Sequence, residues 1–197
     1  MAEETTWDAV VLAGGRARRL GGIDKPALAI GGRSLLEIAL AACYAARYRV
    51  VVGPQRPTSE QVRWVQESPA GSGPLAALGA GLAALPSGSA VVVVLAADLP
   101  AVNVELVDRL RAAIIGSSEL DGAIVVDDQR RAQPLLAAYR RRPLERAVAA
   151  LGDLRDRPVR AILDRLTVAE IVDTNAADDI DTPADLARWT HDRHGRP

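Results

Sequence analysis

Residues Asp8 to Pro26 read DAVVLAGGRARRLGGIDKP. The first part, Asp8 to Ala13, is a short apolar run that stops at Gly14-Gly15. A run of that length, ended by glycine, reads as a parallel strand buried on both faces. The residues after it are unlike an ordinary turn. Leu12 to Pro26 holds two glycine pairs, three arginines and one lysine in fifteen residues. Glycines let backbone N–H groups approach phosphate oxygens without interference from a Cβ. Arg16, Arg18, Arg19 and Lys25 supply the charge that a triphosphate needs. The loop lacks the Gly-Lys-Ser/Thr ending of a P-loop and the Gly-x-Gly-x-x-Gly spacing of a dinucleotide fold. The plain alternative is a generic glycine-rich turn; Arg19 and the Asp24-Lys25 pair weigh against it.

Outward from this loop, apolar periodicity switches repeatedly between strand and helix. SLLEIALAACYAA (34–46) opens with Ser34 and Glu37 in a capping-box pattern, so a helix starts there. RVVVG (49–53) is a second strand, and VRWV (62–65) a weaker one. GPLAALGAGLAAL (73–85) is a helix with Pro74 in its first turn. Its Gly79 and Gly81 point to close packing or ligand approach. AVVVVLAA (90–97) is the most strand-like run of the chain and must be central. Asn103 caps the amphipathic helix NVELVDRLRAAI. GAIVV and AQPLLAAY form a strand pair, the second interrupted by Pro134. PLERAVAAL and PVRAILDRL read as helices, TVAEIV as a last strand, and TPADLARWT as a last helix with Thr182 as cap. Strands alternate with helices throughout, which predicts an α/β fold with a mostly parallel central sheet and helices on both faces.

Composition bounds the function. The chain has 197 residues, 49% hydrophobic and 25% charged, which suits one globular domain. Phe is absent and aromatic residues make up 3%, so Ala, Val, Leu and Ile must build the core. A net charge of −1 argues against a broad nucleic-acid surface. The single cysteine, Cys43, rules out an intrachain disulfide and reads as a core residue. MAEETTW is acidic and polar rather than a signal peptide, and no apolar run reaches membrane-span length. The expectation is a cytoplasmic protein without nucleic-acid or membrane partners, a monomer or weak oligomer. The only histidines, His191 and His194, lie in the terminal HDRHGRP, which reads as a flexible tail over 191–197.

In an open parallel sheet, ligands bind beyond the carboxyl ends of the strands. The glycine loop follows the first strand, and Asp98-Leu99-Pro100 follows the central one, so the two can meet in space. Asp98 is either a turn former or a Mg²⁺ ligand. The nearby triphosphate loop favours the metal. Asp178, Asp179 and Asp181 could supply a second carboxylate, or could merely favour the dipole of the helix they precede.

LAGGRARRLGGIDKP resembles the nucleotide-binding loop of the MobA-like molybdenum cofactor guanylyltransferases, within the larger nucleotidyltransferase family. Further segments match in order: GPLAALGAGL, LAADLP, AQPLLAAYRR, RPVRAIL and DIDTPADLARW. The resemblance covers nearly the whole chain and implies a single-domain, Rossmann-like nucleotidyltransferase fold over residues 1–190. It implies that Leu12, Ala13, Gly14, Gly15, Arg16, Gly53 and Glu67 bind the nucleotide, Glu67 at a place where Asp is usual. Lys25 and Arg19 would hold phosphates and serve catalysis with Asp98. Asp98 would hold Mg²⁺, joined by Asp181. Gly73, Gln133, Arg157, Asp179 and Asp181 would bind the acceptor. Three positions depart from the pattern: Gly53, Asp179 and Asp181 stand where Asn is usual.

The implied reaction is transfer of GMP from GTP to the terminal phosphate of a molybdopterin-type cofactor, with release of pyrophosphate. Two alternatives remain open. One keeps the chemistry with other substrates: CTP and molybdopterin, or GTP and a small phospho-acid. The other is a nucleotide-binding module without turnover.

Overall fold

A computed structural model of the chain describes residues 6–14, 23–180, 182, 185 and 187–189. The strands are β1 (Trp7–Leu12), β2 (Ala29–Ile30), β3 (Arg33–Ser34), β4 (Arg49–Val52), β5 (Arg63–Val65), β6 (Val91–Ala96), β7 (Gly122–Val126), β8 (Ala132–Arg140) and β9 (Val168–Val172). The helices are α1 (Leu35–Ala42), α2 (Pro74–Ala84), α3 (Val104–Ile115), α4 (Arg141–Ala149) and a short α5 (Thr174–Ala177).

Seven strands form one sheet in the order β5-β4-β1-β6-β8-β7-β9. β1 pairs in parallel with both β4 and β6, and β4 with β5. β8 runs antiparallel to β6 and β7, while β7 and β9 are parallel. The sheet is mostly parallel with helices on both faces, as the alternation of patterns predicts.

The reason is visible in how side chains divide. Trp7, Ala9 and Val11 of β1, with Val91, Val93 and Leu95 of β6, pack against α1 and α3. Val10, Leu12, Val92 and Val94 point the other way, against α2 and α4. Both faces of the central strands are covered, so their sequence is apolar at nearly every position rather than alternating; the exception is Asp8 of β1, fully buried with Arg141 Nη1 3.6 Å from its Oδ2. A core poor in aromatics needs close approach between elements. An ideal Cβ at Gly81 would lie 2.5 Å from Val10 Cγ1 and 3.0 Å from Val52 Cγ2. This glycine lets α2 lie flat on β1 and β4.

Helix starts follow the sequence signals. Ser34 accepts from the Glu37 N–H, and Glu37 Oε2 accepts in return from the Ser34 N–H at 2.8 Å, which completes the capping box. The N–H and hydroxyl of Ser34 hold the Glu37 carboxyl below the usual range. Asn103 Oδ1 accepts from the Leu106 N–H at 2.9 Å and starts α3. Thr182 and Asp185 are reciprocally bonded, Thr182 N–H to Asp185 Oδ2 at 2.8 Å and Asp185 N–H to Thr182 Oγ1 at 3.2 Å.

Three features differ from the sequence reading. PVRAILDRL is not an α-helix: Val159–Arg165 is a 3-10 run. It has no side-chain cap; Ile162 is fully covered, and Val159, Ala161 and Leu163 pack partly buried beside it, so core contacts hold a short, tightly wound run in place of a capped α-helix. The β2–β3 hairpin and α5 carry too few residues to leave a periodic signal. Pro134, by contrast, interrupts the ladder near the start of β8 as the sequence suggests, and the strand continues through it. The β7–β8 register slips from Ile124↔Ala137 to Val125↔Gln133, and a bulge absorbs the proline. The Tyr139 hydroxyl donates to the Pro134 carbonyl at 2.9 Å.

Cys43 is fully buried, as expected for a core residue, and burial pushes its thiol up to about 12 from about 9. Between those values the unfolded chain loses the proton while the folded chain keeps it. Stability should therefore fall as pH rises through that window. At pH 8 a thiol-specific disulfide reagent should leave native protein unlabelled and label it at once in denaturant. Rapid labelling of the native protein would contradict this burial.

Candidate active site

β1 and β6 lie side by side and end together, with the Ala97 N–H donating to the Leu12 carbonyl at 2.9 Å. The chain leaves both strands at the same edge, as the sheet topology requires. Leu12 and Ala13 are buried and Gly14 is exposed. The Ala13 N–H is used by the Val52 carbonyl of β4 at 2.8 Å, which fixes where the glycine loop departs.

Gly53, directly after β4, touches this departure point. It adopts φ +140°. An ideal Cβ there would lie 2.8 Å from the Ala13 carbonyl carbon and oxygen and 2.9 Å from the Gly14 nitrogen. The Asn usual at this place in the family pattern cannot be accommodated unless the Ala13–Gly14 peptide moves. Gly53→Ala should therefore destabilise the fold by about 1–3 kcal/mol, the scale of local backbone strain. In a chain of this size that is a fall of roughly 2–12 °C in Tm. A circular-dichroism melt checks it; an unchanged Tm would show that the peptide yields freely.

The loop returns at Asp24 and Lys25. Lys25 opens a 3-10 turn, Lys25–Ala27, over the buried Pro26. Its ammonium lies 3.9 Å from Asp98 Oδ2, and the two side chains are 15% and 29% exposed. Asp98 sits in the turn after β6. Its carbonyl accepts from the Ile180 N–H at 3.3 Å, which brings the segment after α5 alongside. A cation and a carboxylate thus share one partly covered edge, beside the main chain of Ala13 and Gly14.

Asp24, which the sequence places oddly beside a lysine, is explained by Arg56. The Arg56 Nε lies 2.8 Å from Asp24 Oδ2, and its Nη2 lies 2.6 Å from Asp24 Oδ1. Its Nη1 donates to the carbonyls of Ala13 and Pro54, each at 2.8 Å. Sequence reasoning missed Arg56. It lies in the turn-rich PQRPTSE, 32 positions from Asp24, and no local spacing couples the two.

A family model described as a MobA-like NTP transferase domain matches residues 9–171. A probable molybdenum cofactor guanylyltransferase of Mycobacterium marinum is 35% identical over 187 residues, covering 90% of each chain. The chain belongs to the MobA-like NTP transferase family. It is a nucleotidyltransferase by that membership. A molybdenum cofactor guanylyltransferase of Vibrio vulnificus is 27% identical over 154 residues, 75% of this chain and 74% of its own. The MobA-like fold is seen again in the molybdopterin-guanine dinucleotide biosynthesis protein A of Archaeoglobus fulgidus. It superposes with a TM-score of 0.72 at 23% identity, covering 96% of this chain and all (100%) of that one.

Other residues singled out by the MobA-like pattern fall into separate places. Glu67 accepts from the Gly71 N–H at 2.8 Å and lines a cavity of about 380 Å³ with Ser68, Pro69 and the 152–155 loop. On that loop Arg155 holds the Asp153 carboxyl down at about 2. Gly73 caps α2 and lies against Asp156, and Arg157 is exposed on the same loop. Gln133 and Asp179 instead line a second, polar cavity of about 420 Å³ with Asp127, Asp128, Arg131 and Asp178. There the N–H groups of Arg131 and Gln129 and the Arg131 guanidinium hold Asp127 below the usual carboxylate range. Of the acceptor set, Gln133 and Asp179 thus share one hollow, while Gly73 and Arg157 belong to the lining of neither. Gly15, Arg16, Arg19 and Asp181 lie outside the described residues, as does the 191–197 segment. Among the described residues no three carboxylate, His or Cys side chains gather as a metal cage, and no helix is long and apolar enough to cross a membrane.

Proposed function

We propose that this chain transfers GMP from GTP to the terminal phosphate of a molybdopterin-type acceptor, in a Mg²⁺-dependent reaction that releases pyrophosphate. The observation that carries the reading is the placement of Lys25 3.9 Å from Asp98, at the shared edge of β1 and β6. The names borne by the relatives supply the base and the acceptor class.

The chemistry follows from charge. An oxygen of the acceptor phosphate attacks the α-phosphorus in line, the bond from that phosphorus to the β-phosphate oxygen breaks, and pyrophosphate leaves. An ionised phosphate nucleophile needs no general base, so positioning and electrostatics carry the catalysis. The Lys25 ammonium stabilises charge that builds on the phosphates. The Gly14 main chain, without a Cβ, allows close approach of the nucleotide. Asp98 fits a magnesium ion: Mg²⁺ is commonly held by one or two carboxylates together with substrate phosphates, and needs no all-protein cage. When bound, the ion neutralises the α-phosphate region. Gln133 and Asp179, in the polar cavity beside the segment that meets Asp98, are our candidates for the acceptor side.

The test is pyrophosphate release from GTP, CTP, ATP or UTP, each with Mg²⁺ and either molybdopterin or a small phospho-acid. Release with GTP and molybdopterin is the expected result. Release with CTP, or with the phospho-acid, moves the assignment to those substrates. Binding without release in every mixture would make the chain a nucleotide-binding module and overturn the reading.

A further inference from the structure

We propose that Arg56 is a positioning residue for nucleotidyl transfer. Its guanidinium joins Ala13, where β1 ends, to Asp24, where the arginine-rich loop returns, and so sets Lys25 against Asp98. The proposal rests on the nucleotidyltransferase reading of this site.

Arginine in a nucleotide site is ordinarily taken as a phosphate ligand. The geometry here assigns this one a different task. A guanidinium has five N–H donors in a rigid fork. Four are already directed at the protein: Nε and one Nη2 N–H at the Asp24 carboxylate, and both Nη1 N–H groups at the carbonyls of Ala13 and Pro54. The side chain is 12% exposed, whereas that of Asp24 is 50% exposed. Arg56 therefore sits beneath the loop ends with its charge met by Asp24.

The two residues it joins are eleven positions apart in the chain, and the glycine-rich segment lies between them. Holding both ends in one fork fixes the span that the segment must bridge. It also fixes the backbone of Lys25, since Asp24 is its immediate neighbour and the Asp24 carbonyl accepts from the Ala27 N–H at 3.0 Å. Gly53 serves the same clamp. Three residues before Arg56, it presses on the Ala13–Gly14 peptide whose carbonyl Arg56 holds. A lysine cannot replace the fork, because a single ammonium cannot span a carboxylate and two carbonyls in these directions.

The test compares Arg56→Ala, Arg56→Lys, Asp24→Asn and the double variant Arg56→Ala/Asp24→Asn with the parent. One readout is independent of turnover: amide hydrogen exchange at Ala27 and Leu28, whose N–H groups bond to the Asp24 and Lys25 carbonyls at 3.0 and 2.9 Å. The other is kcat/KM for GTP with Mg²⁺ and molybdopterin. In every variant, exchange at those two amides should rise while amides of β1 and β6 keep parental rates. Loss of kcat/KM should be about 10- to 100-fold, the range expected for misplacement by about 1 Å. The double variant should lose no more than the worse single one. Unchanged exchange, or losses that multiply in the double variant, would overturn the proposal. So would tighter GTP binding in Asp24→Asn, the mark of a guanidinium freed to meet phosphate. If the parent turns over none of these substrates, the function reading fails while the exchange comparison still decides the clamp.

Discussion

Asp98→Asn should cut the rate by about 10²–10³-fold at ordinary Mg²⁺, the scale on which removal of one preorganised electrostatic group acts. It should also raise the Mg²⁺ concentration for half-maximal rate. Asn keeps the shape of Asp and tolerates the same turn conformations, but it carries no charge for a hard cation. The fold should hardly notice. The side chain is 29% exposed, and its pairing with Lys25 at 3.9 Å is a long, partly solvated one. Such pairs contribute about 0–1 kcal/mol, so Tm should move by no more than about 4 °C. Because the Lys25 ammonium already faces this carboxylate, a second cation is opposed there until a triphosphate brings its own negative charge. Mg²⁺ should accordingly bind detectably with nucleotide and weakly without it. Isothermal titration with and without GTP checks this, beside the Mg²⁺ dependence of pyrophosphate release. An Asp98→Asn variant with parental metal dependence would leave Asp98 as a turn former.

Lys25→Ala should lose about 10²–10³-fold in kcat, by the same reasoning about charge developing on the phosphates. It differs from the Asp98 variant in a way that kinetics can resolve: its loss should persist at saturating Mg²⁺. The residue contributes little to the core. It opens a three-residue 3-10 turn and points its ammonium at the site, while the neighbouring Pro26 carries the packing. Parental melting with lost turnover is the expected pair of results. Full activity in Lys25→Ala would remove the central element of the proposed mechanism. Lys25→Arg is a useful companion, since the guanidinium keeps the charge but spreads it over a planar fork. Intermediate activity there would show that charge matters before shape.

The sequence by itself determined the class of fold and the family. β1, β4 and β6 announce themselves as continuous valine-rich runs because both faces of each strand are buried, and helix caps at Ser34 and Asn103 are local side-chain-to-backbone bonds that a few residues suffice to encode. The Lys25–Asp98 meeting was legible too, because parallel strands oblige the loops after β1 and β6 to leave at one edge. The β2–β3 hairpin and α5 are too small to show a period, and at Val159–Arg165 the apolar pattern showed a helix without showing that it winds as a 3-10 run. Only the tertiary structure decided what depends on distance between remote residues. It paired Arg56 with Asp24 across 32 positions, required glycine at 53 because the Ala13–Gly14 peptide lies against it, and divided Gly73 from Gln133 and Asp179. Periodicity and capping are short-range effects written in consecutive residues, whereas a guanidinium fork and a 2.8 Å backbone approach exist only after separate strands have been laid side by side.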